Sequence, residues 1–322
     1  MNSFGRVFRV QIFGESHGPA VGITLDGVRA SIPVAAGDFE PDLARRRPGA
    51  AGTTTRVEAD VPQFLSGVYN GFTTGAPLTI LFSNQNTRSE DYEALRHMPR
   101  PGHADFVMQQ KWAGFNDPRG GGHTSGRLTT ALVAAGVVAK KMIPDLQVHA
   151  RLTEAGGTTD IEAALQQAIE QQDSIGGIVQ CTLSGVPIGL GSPFFDSLES
   201  TIAHLVFSIP AIKGIAFGAG FDAARMTGSI HNDAIVDADG TTRTNHAGGI
   251  NGGVSNGNTI VFDVAVKPTS STPKAQESWN HQEGKVTPLA VRGRHDLCIA
   301  LRVPVVVEAV AAIALADAQA VG

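Results

Sequence analysis

The stretch RLTTALVAAGVVAKKMI, residues 127–143, is apolar on almost every face and carries Lys140 and Lys141 near its C-terminal end. A helix hydrophobic all round belongs inside a fold, and its terminal lysines complement the negative end of the helix dipole. Three more helices are expected around it. Residues 160–172 begin on a capping-type aspartate and are amphipathic, as a surface helix is. Residues 198–207 form the next, and residues 304–319 place Pro304 in the first turn of a strongly apolar body. Strands are expected over 64–68 and 78–82, with Asn70 and Gly71 marking a turn between them, and over 178–183, 215–221 and 259–266. The long stretches 20–99 and 214–268 carry strand and loop signals without helices, which favours an α+β fold over a doubly wound parallel sheet. No Pro/Ser-rich linker, charge-rich hinge or repeat divides the chain, so residues 1–322 read as a single domain.

Composition narrows the function classes. Hydrophobic residues make up 42% of the 322 and charged residues only 17%, so there is ample apolar surface to bury and disorder is excluded. The net charge of −5 argues against a nucleic-acid partner, which calls for a basic excess. No run approaches the uninterrupted apolar length of a membrane span, since the longest, residues 303–315, contains Glu308. The N-terminus has Arg6 and Arg9 but no apolar core of a secretory signal. Cys181 and Cys298 stand apart inside apolar runs, as in a reduced, cytoplasmic chain. Neither CxxC nor HExxH occurs, so no metal site is expected.

The scarce charges gather in glycine-rich loops: GESHG (14–18), RRRPG (45–49), RPGHAD (100–105), RGGGHTSGR (119–127), NHAGGINGG (245–253) with KPTSS (267–271), and GRHD (293–296). Adjacent glycines let backbone N–H groups converge on an anion, and the fourth loop also opens a helix N-terminus. Lys267 with the hydroxyls of Thr269, Ser270 and Ser271 suits a phosphate, although GxxxxGK[ST] is absent. Arginine forks suit carboxylates and phosphates. Taken singly, each loop reads more simply: GESHG as a turn with a solvated histidine, RRRPG as a solvated charge run, KPTSS as a strand end. His149 and His204 are read as packing or surface residues. Concentration of charge on so many loops of one chain points instead to a site for a small polyanion.

FGESHG, DLARRRPG, RPGHAD, RGGG, TNHAGG, KPTSS and GRHD, in this order from about residue 4 to 317, resemble the motifs of the chorismate synthase family. The resemblance implies a single α+β domain with helices packed between two outer β-sheets, assembled as a homotetramer. It implies a lyase of the shikimate pathway, which leads to the aromatic amino acids. That enzyme makes chorismate by 1,4-anti elimination of phosphate from 5-enolpyruvylshikimate 3-phosphate, a reaction without net redox change that needs reduced FMN. Reduction by NADPH or by a separate flavin reductase is implied as the source of that flavin. His17 and His103 match the acid/base histidines, one for the departing phosphate and one for the reduced flavin. Asp296 matches the residue assisting proton removal by way of the flavin N5, and Ser16 a residue that orients its neighbours. Flavin contacts match His123, Thr124, Ser125, Pro210, Ala211, Gly252, Lys267, Pro268, Thr269, Ser270, Ser271 and Arg294. Arg46 matches a position associated with NADPH, and Arg46, Arg127 and Arg294 are candidates for the substrate anions.

The chain departs from the family pattern at defined places. His123 stands for an arginine, Thr124 for a serine, Leu128 for a glutamate and Pro210 for an asparagine. An arginine is missing from 52–55, and the segment 151–174 is shorter. Two rival readings remain: an anion- or flavin-binding relative without turnover, and a metal-dependent phosphohydrolase. His17, His103 and Asp296 favour the lyase, and the phosphohydrolase lacks the usual Asp/His ligand spacings.

Overall fold

The computed structural model describes residues 2–87, 92, 94–291, 293 and 295–321. In chain order the first half contains β1 (Ser3–Phe4), β2 (Arg9–Gly14), β3 (Ala20–Asp26), α1 (Glu40–Arg46), β4 (Gln63–Ser66), β5 (Val68–Tyr69), β6 (Phe72–Thr73), β7 (Leu78–Ser83), α2 (Asp105–Lys111) and α3 (Thr129–Met142). There follow β8 (Gln147–Ala155), α4 (Ile161–Gln171), β9 (Gly177–Ser184), α5 (Leu198–Val206), β10 (Ile212–Phe217) and α6 (Gly228–His231). The chain ends with β11 (Ile250–Asn251), β12 (Val254–Ser255), β13 (Ile260–Val266), β14 (Gln276–Asn280), β15 (Lys285–Leu289) and α7 (Pro304–Val321).

Two antiparallel sheets dominate, ordered β1-β2-β3-β7-β4 and β10-β13-β9-β8. Their strands bury alternate side chains: Leu78, Ile80 and Phe82 of β7, and Ile260, Phe262, Val264 and Val266 of β13. Helix α3 packs on β3 and β7, α7 packs on β8 and β9, and the two helices pack on each other. The chain is therefore α+β with helices between two outer sheets. A Cβ at Gly136 of α3 would lie 2.4 Å from the Cβ of Ala309 on α7, so the missing side chain allows the helices to touch. Helix α7 is long and apolar enough to cross a membrane by composition alone, yet here it is the core helix, buried from Val305 to Asp317.

The charges of α7 are satisfied internally. Glu308 accepts both guanidinium nitrogens of Arg45 at 2.7 Å and the amide of Ala150 at 2.7 Å. Asp317 accepts the amides of Arg6, Val7 and Phe8, tying the N-terminal strands to the end of the helix.

Several expectations need correction. Helix α1 lies inside the stretch 20–99 expected to hold none. Pro41, Glu40 and Asp42 start it and Leu43 buries against the core, so Arg45 and Arg46 end a helix and do not belong to a loop. Helix α6 is a single turn within 214–268. The strand expected over 215–221 runs Ile212–Phe217, because Gly218 turns at φ 55° against the His246 carbonyl. Asn70 and Gly71, both at positive φ, do form a turn, but it joins the short β5 and β6.

Candidate active site

Backbone geometry brings the loop residues together. Strand β2 ends at Gly14, and the chain then doubles back so that the Ser16 amide donates to the Gly122 carbonyl at 3.1 Å. Gly120, Gly121 and Gly122 have φ of 60°, 85° and 53°, a run that only glycine adopts without strain. A Cβ at Gly120 would meet His17 Cδ2 at 2.6 Å, and one at Gly121 would meet His103 Cε1 at 3.4 Å. The bare glycine backbone is thus wedged between the two histidines.

This wedge forms part of the wall of a cavity of about 310 Å³, within the range of small-molecule sites. Among the described residues, Arg46, Arg56, Arg100, Arg127, Lys267 and Arg302 line it against only Glu58, Asp60 and Asp296. The surplus of cations suits a ligand with several negative charges.

Each charged group is held from behind. Asp60 pairs with Arg46 at 3.2 Å and also with Arg127. Arg46 further donates to Thr129 Oγ1 and to the Gly126 carbonyl, while Arg127 donates to Asn84 and Thr130. Burial, followed by repulsion from Arg302, pushes the Arg46 guanidinium down to about 9, so it remains charged at neutral pH. Glu58 is pushed up by burial, but the amides of Gln85 and Asn86 and the Arg56 guanidinium outweigh this and hold it low. Lys267 is lowered by burial and by Lys213, and its Nζ donates to Ser270 Oγ at 2.8 Å. Thr269 Oγ1, beside it, is buried with no hydrogen-bond partner among the described residues.

His103 is set by Asp105, the first residue of α2. Its Nδ1 lies 2.7 Å from Asp105 Oδ1 and 3.1 Å from Arg100 Nη2. Arginine can only donate, so the two contacts cannot both be hydrogen bonds of a ring protonated at Nδ1. The shorter, to a carboxylate, makes Nδ1–H the donor and leaves Nε2 available for proton exchange. Burial pushes the Asp105 carboxyl up, but the hydrogen bonds from Arg100 and His103 hold it well below the usual carboxylate range. Asp296 accepts the Thr54 amide at 2.9 Å and pairs with Arg302 at 3.0 Å.

The cavity wall includes Ser16, Arg46, His103, Thr124, Ser125, Arg127, Pro210, Ala211, Lys267, Thr269, Ser270, Ser271 and Asp296. His17 sits just behind Ser16 and Gly120. Pro268 does not line the cavity, and Gly252 lies in the β11–β12 hairpin beyond the N-terminus of α5. His123 points the other way, into a second hollow with Phe13 and Trp112. Arg294 lies outside the described residues. The TNHAGG loop is internally braced, with Asp233 accepting the amides of His246 and Ala247. Leu128 packs in the core.

Residue-by-residue reading missed Arg56, Tyr92 and Arg302. Tyr92 meets the His17 ring edge-on at 5.1 Å and lies under Arg100 at 5.8 Å. Arg302 was findable, since it is the one charge in the apolar run 297–307.

An α+β layered fold with His103 on the wall of a cationic cavity and His17 just behind it fits the class of enzymes that act on small molecules. The family model for chorismate synthase matches residues 8–320. Over 98% of its length the chain is 66% identical to the chorismate synthase of Chitinophaga pinensis, covering 96% of that protein. It is 43% identical to that of Korarchaeum cryptofilum, again over 98% of this chain and 96% of the relative. A solved structure described as a crystal structure of chorismate synthase superposes with a TM-score of 0.75 at 25% identity, covering 98% of this chain and 92% of the other. The chain belongs to the chorismate synthase family and is accordingly a lyase of aromatic amino-acid biosynthesis.

Proposed function

We propose that the cavity converts 5-enolpyruvylshikimate 3-phosphate to chorismate by 1,4-anti elimination of phosphate, with reduced FMN bound beside the substrate. The observation that carries this is the glycine wedge holding His17 and His103 apart at the wall of a cavity rich in cations. The residues present suit the flavin. Lys267, Ser270 and Ser271 offer a charge and hydroxyls to a phosphate, and Thr269 Oγ1, buried with no partner among the described residues, is free to bond a ligand. Thr124, Ser125, Pro210 and Ala211 complete that wall, and Ala211, strained at φ 74°, carries its carbonyl to the Lys267 amide. Reduced FMN, when bound, supplies an electron-rich ring that lets the substrate lose phosphate without net redox change.

The chain's own groups do the rest. The arginines, with Arg46, Arg100 and Arg127 buried, neutralise the carboxylates and the departing phosphate. His103 holds a proton at Nε2 for the leaving group, its ring fixed through Nδ1 by Asp105. His17 holds a second proton, and Asp296, steadied by Arg302 and the Thr54 amide, receives one. Both sheets share one hydrophobic core, which supports reading residues 1–322 as one domain. A homotetramer, a cytoplasmic location, and NADPH or a separate reductase as the source of reduced flavin go with this reading.

The test is phosphate release under anaerobic conditions with reduced FMN, oxidised FMN and no flavin. Release is expected only with reduced FMN, and without net flavin oxidation. Equal rates in all three would reject the flavin-dependent lyase, and no release in any of them would leave an anion-binding relative.

A further inference from the structure

We infer that His123 is a positioning residue for His17 and His103, acting through the backbone and not as a ligand of the flavin; this rests on the reading of the cavity just given. His123 Nδ1 lies 2.7 Å from the Gly14 carbonyl, and the neighbouring Gly122 carbonyl accepts the Ser16 amide at 3.1 Å. A carbonyl only accepts, so Nδ1–H donates. These two bonds strap residues 14–16 to the end of the glycine loop. On the far side Nε2 meets Asn2 Oδ1 at 3.2 Å. The Asn2 amide can present its oxygen or, turned over, its nitrogen, so this contact serves either ring state. The imidazole is thus occupied on both edges and faces the hollow beside Phe13 and Trp112, away from the cationic cavity.

The glycine loop needs such a pin. Three successive glycines at positive φ have the most conformational freedom to lose. Arg119 holds the front of the loop through Asp117, at 2.9 Å from Nε to Oδ1, and Thr124 Oγ1 ties down the Gly121 carbonyl at 2.8 Å. His123 is the tie to strand β2. Because Gly120 abuts His17 and Gly121 abuts His103, slack in the loop becomes misplacement of both rings.

Three variants separate this role from flavin binding. His123→Asn keeps an N–H donor close to the position of Nδ1, His123→Gln moves the donor one bond farther out, and His123→Ala has none. On each, the exchange rate of the Ser16 amide is measured in the ligand-free protein, together with the affinity for oxidised FMN and the phosphate-release rate at saturating reduced FMN. In Gln and Ala the Ser16 amide should exchange about tenfold faster, since local opening sets its protection. Their turnover should fall on the order of 100-fold, the cost of misplacing reacting groups by an ångström, with Asn restoring it to within about threefold. FMN affinity should stay within roughly twofold in all three, the usual scale for a change remote from a ligand. The inference is overturned if Ala weakens FMN binding while turnover at saturating flavin is retained, or if Asn behaves like Gln. Should the unmodified protein release no phosphate at all, the functional reading falls, while the Ser16 exchange pattern still decides the strap.

Discussion

Gly120 sits so close to His17 that a Cβ at position 120 would lie 2.6 Å from the ring's Cδ2 and 2.9 Å from Ser16 Oγ. The spacing between the two site histidines is therefore set by a backbone with no side chain. Gly120→Ala should push the His17 ring aside and lower turnover by about 100-fold. The residue is also at φ 60°, so the variant should lose roughly 1–2 kcal/mol of stability. Steady-state phosphate release and urea unfolding measure the two effects separately.

Glu308 illustrates how a charge can hold a core. It is buried within the central helix and accepts the Arg45 fork and the Ala150 amide. Glu308→Ala would strand the donors, and removing one partner of a buried ion pair typically costs about 3–5 kcal/mol. Because Arg45 is partly exposed and can reach water, the lower end is expected by urea unfolding.

The contact between α3 and α7 depends on Gly136. Gly136→Ala adds a Cβ 2.4 Å from that of Ala309, too close for either helix to absorb alone. Separating the helices should cost about 1–3 kcal/mol, the usual range for overpacking, despite the better helix propensity of alanine. Thermal unfolding of this variant against Ala135→Gly, on the same helix, checks the sign.

These helices were legible because residues 127–143 and 304–319 are apolar on almost every face, with only a few charges among them. The seven-residue α1 was not, because its only buried apolar side chain is Leu43 and no period can be read from one residue. The motif loops pointed to His103, Asp296, Lys267 and the glycine wedge. Arg56 and Tyr92 were not singled out, because their places depend on the tertiary packing of Arg56 onto Ser16 and of Tyr92 onto His17. His123 was readable as a member of the glycine loop, but its direction follows from the φ of Gly122, which no sequence pattern reports.

Asp105 gives a pH signature. Its carboxyl is held well below the usual range by Arg100 and His103, against the opposing effect of burial. The unfolded chain takes up that proton first as pH falls, so the stabilisation is complete above the ordinary carboxylate pKa of about 3.9 and is lost below it, through the lower folded value. Asp105→Asn should therefore be less stable than the unmodified protein at neutral pH, by about 1–3 kcal/mol for lost charged hydrogen bonds. The gap should narrow as the pH drops below about 4, where the unfolded carboxyl becomes protonated. Urea unfolding across that range reads it.

The central claim is that His103, clamped through Nδ1 and set against Gly121, moves a proton at the reacting centre. The direct measurement is single-turnover phosphate release by His103→Ala at saturating reduced FMN and substrate, paired with the affinity for the substrate. A loss on the order of 10²–10⁴ in the release rate with affinity nearly unchanged is expected of a general acid or base. An unchanged release rate with weakened affinity would contradict the claim and make His103 a binding group.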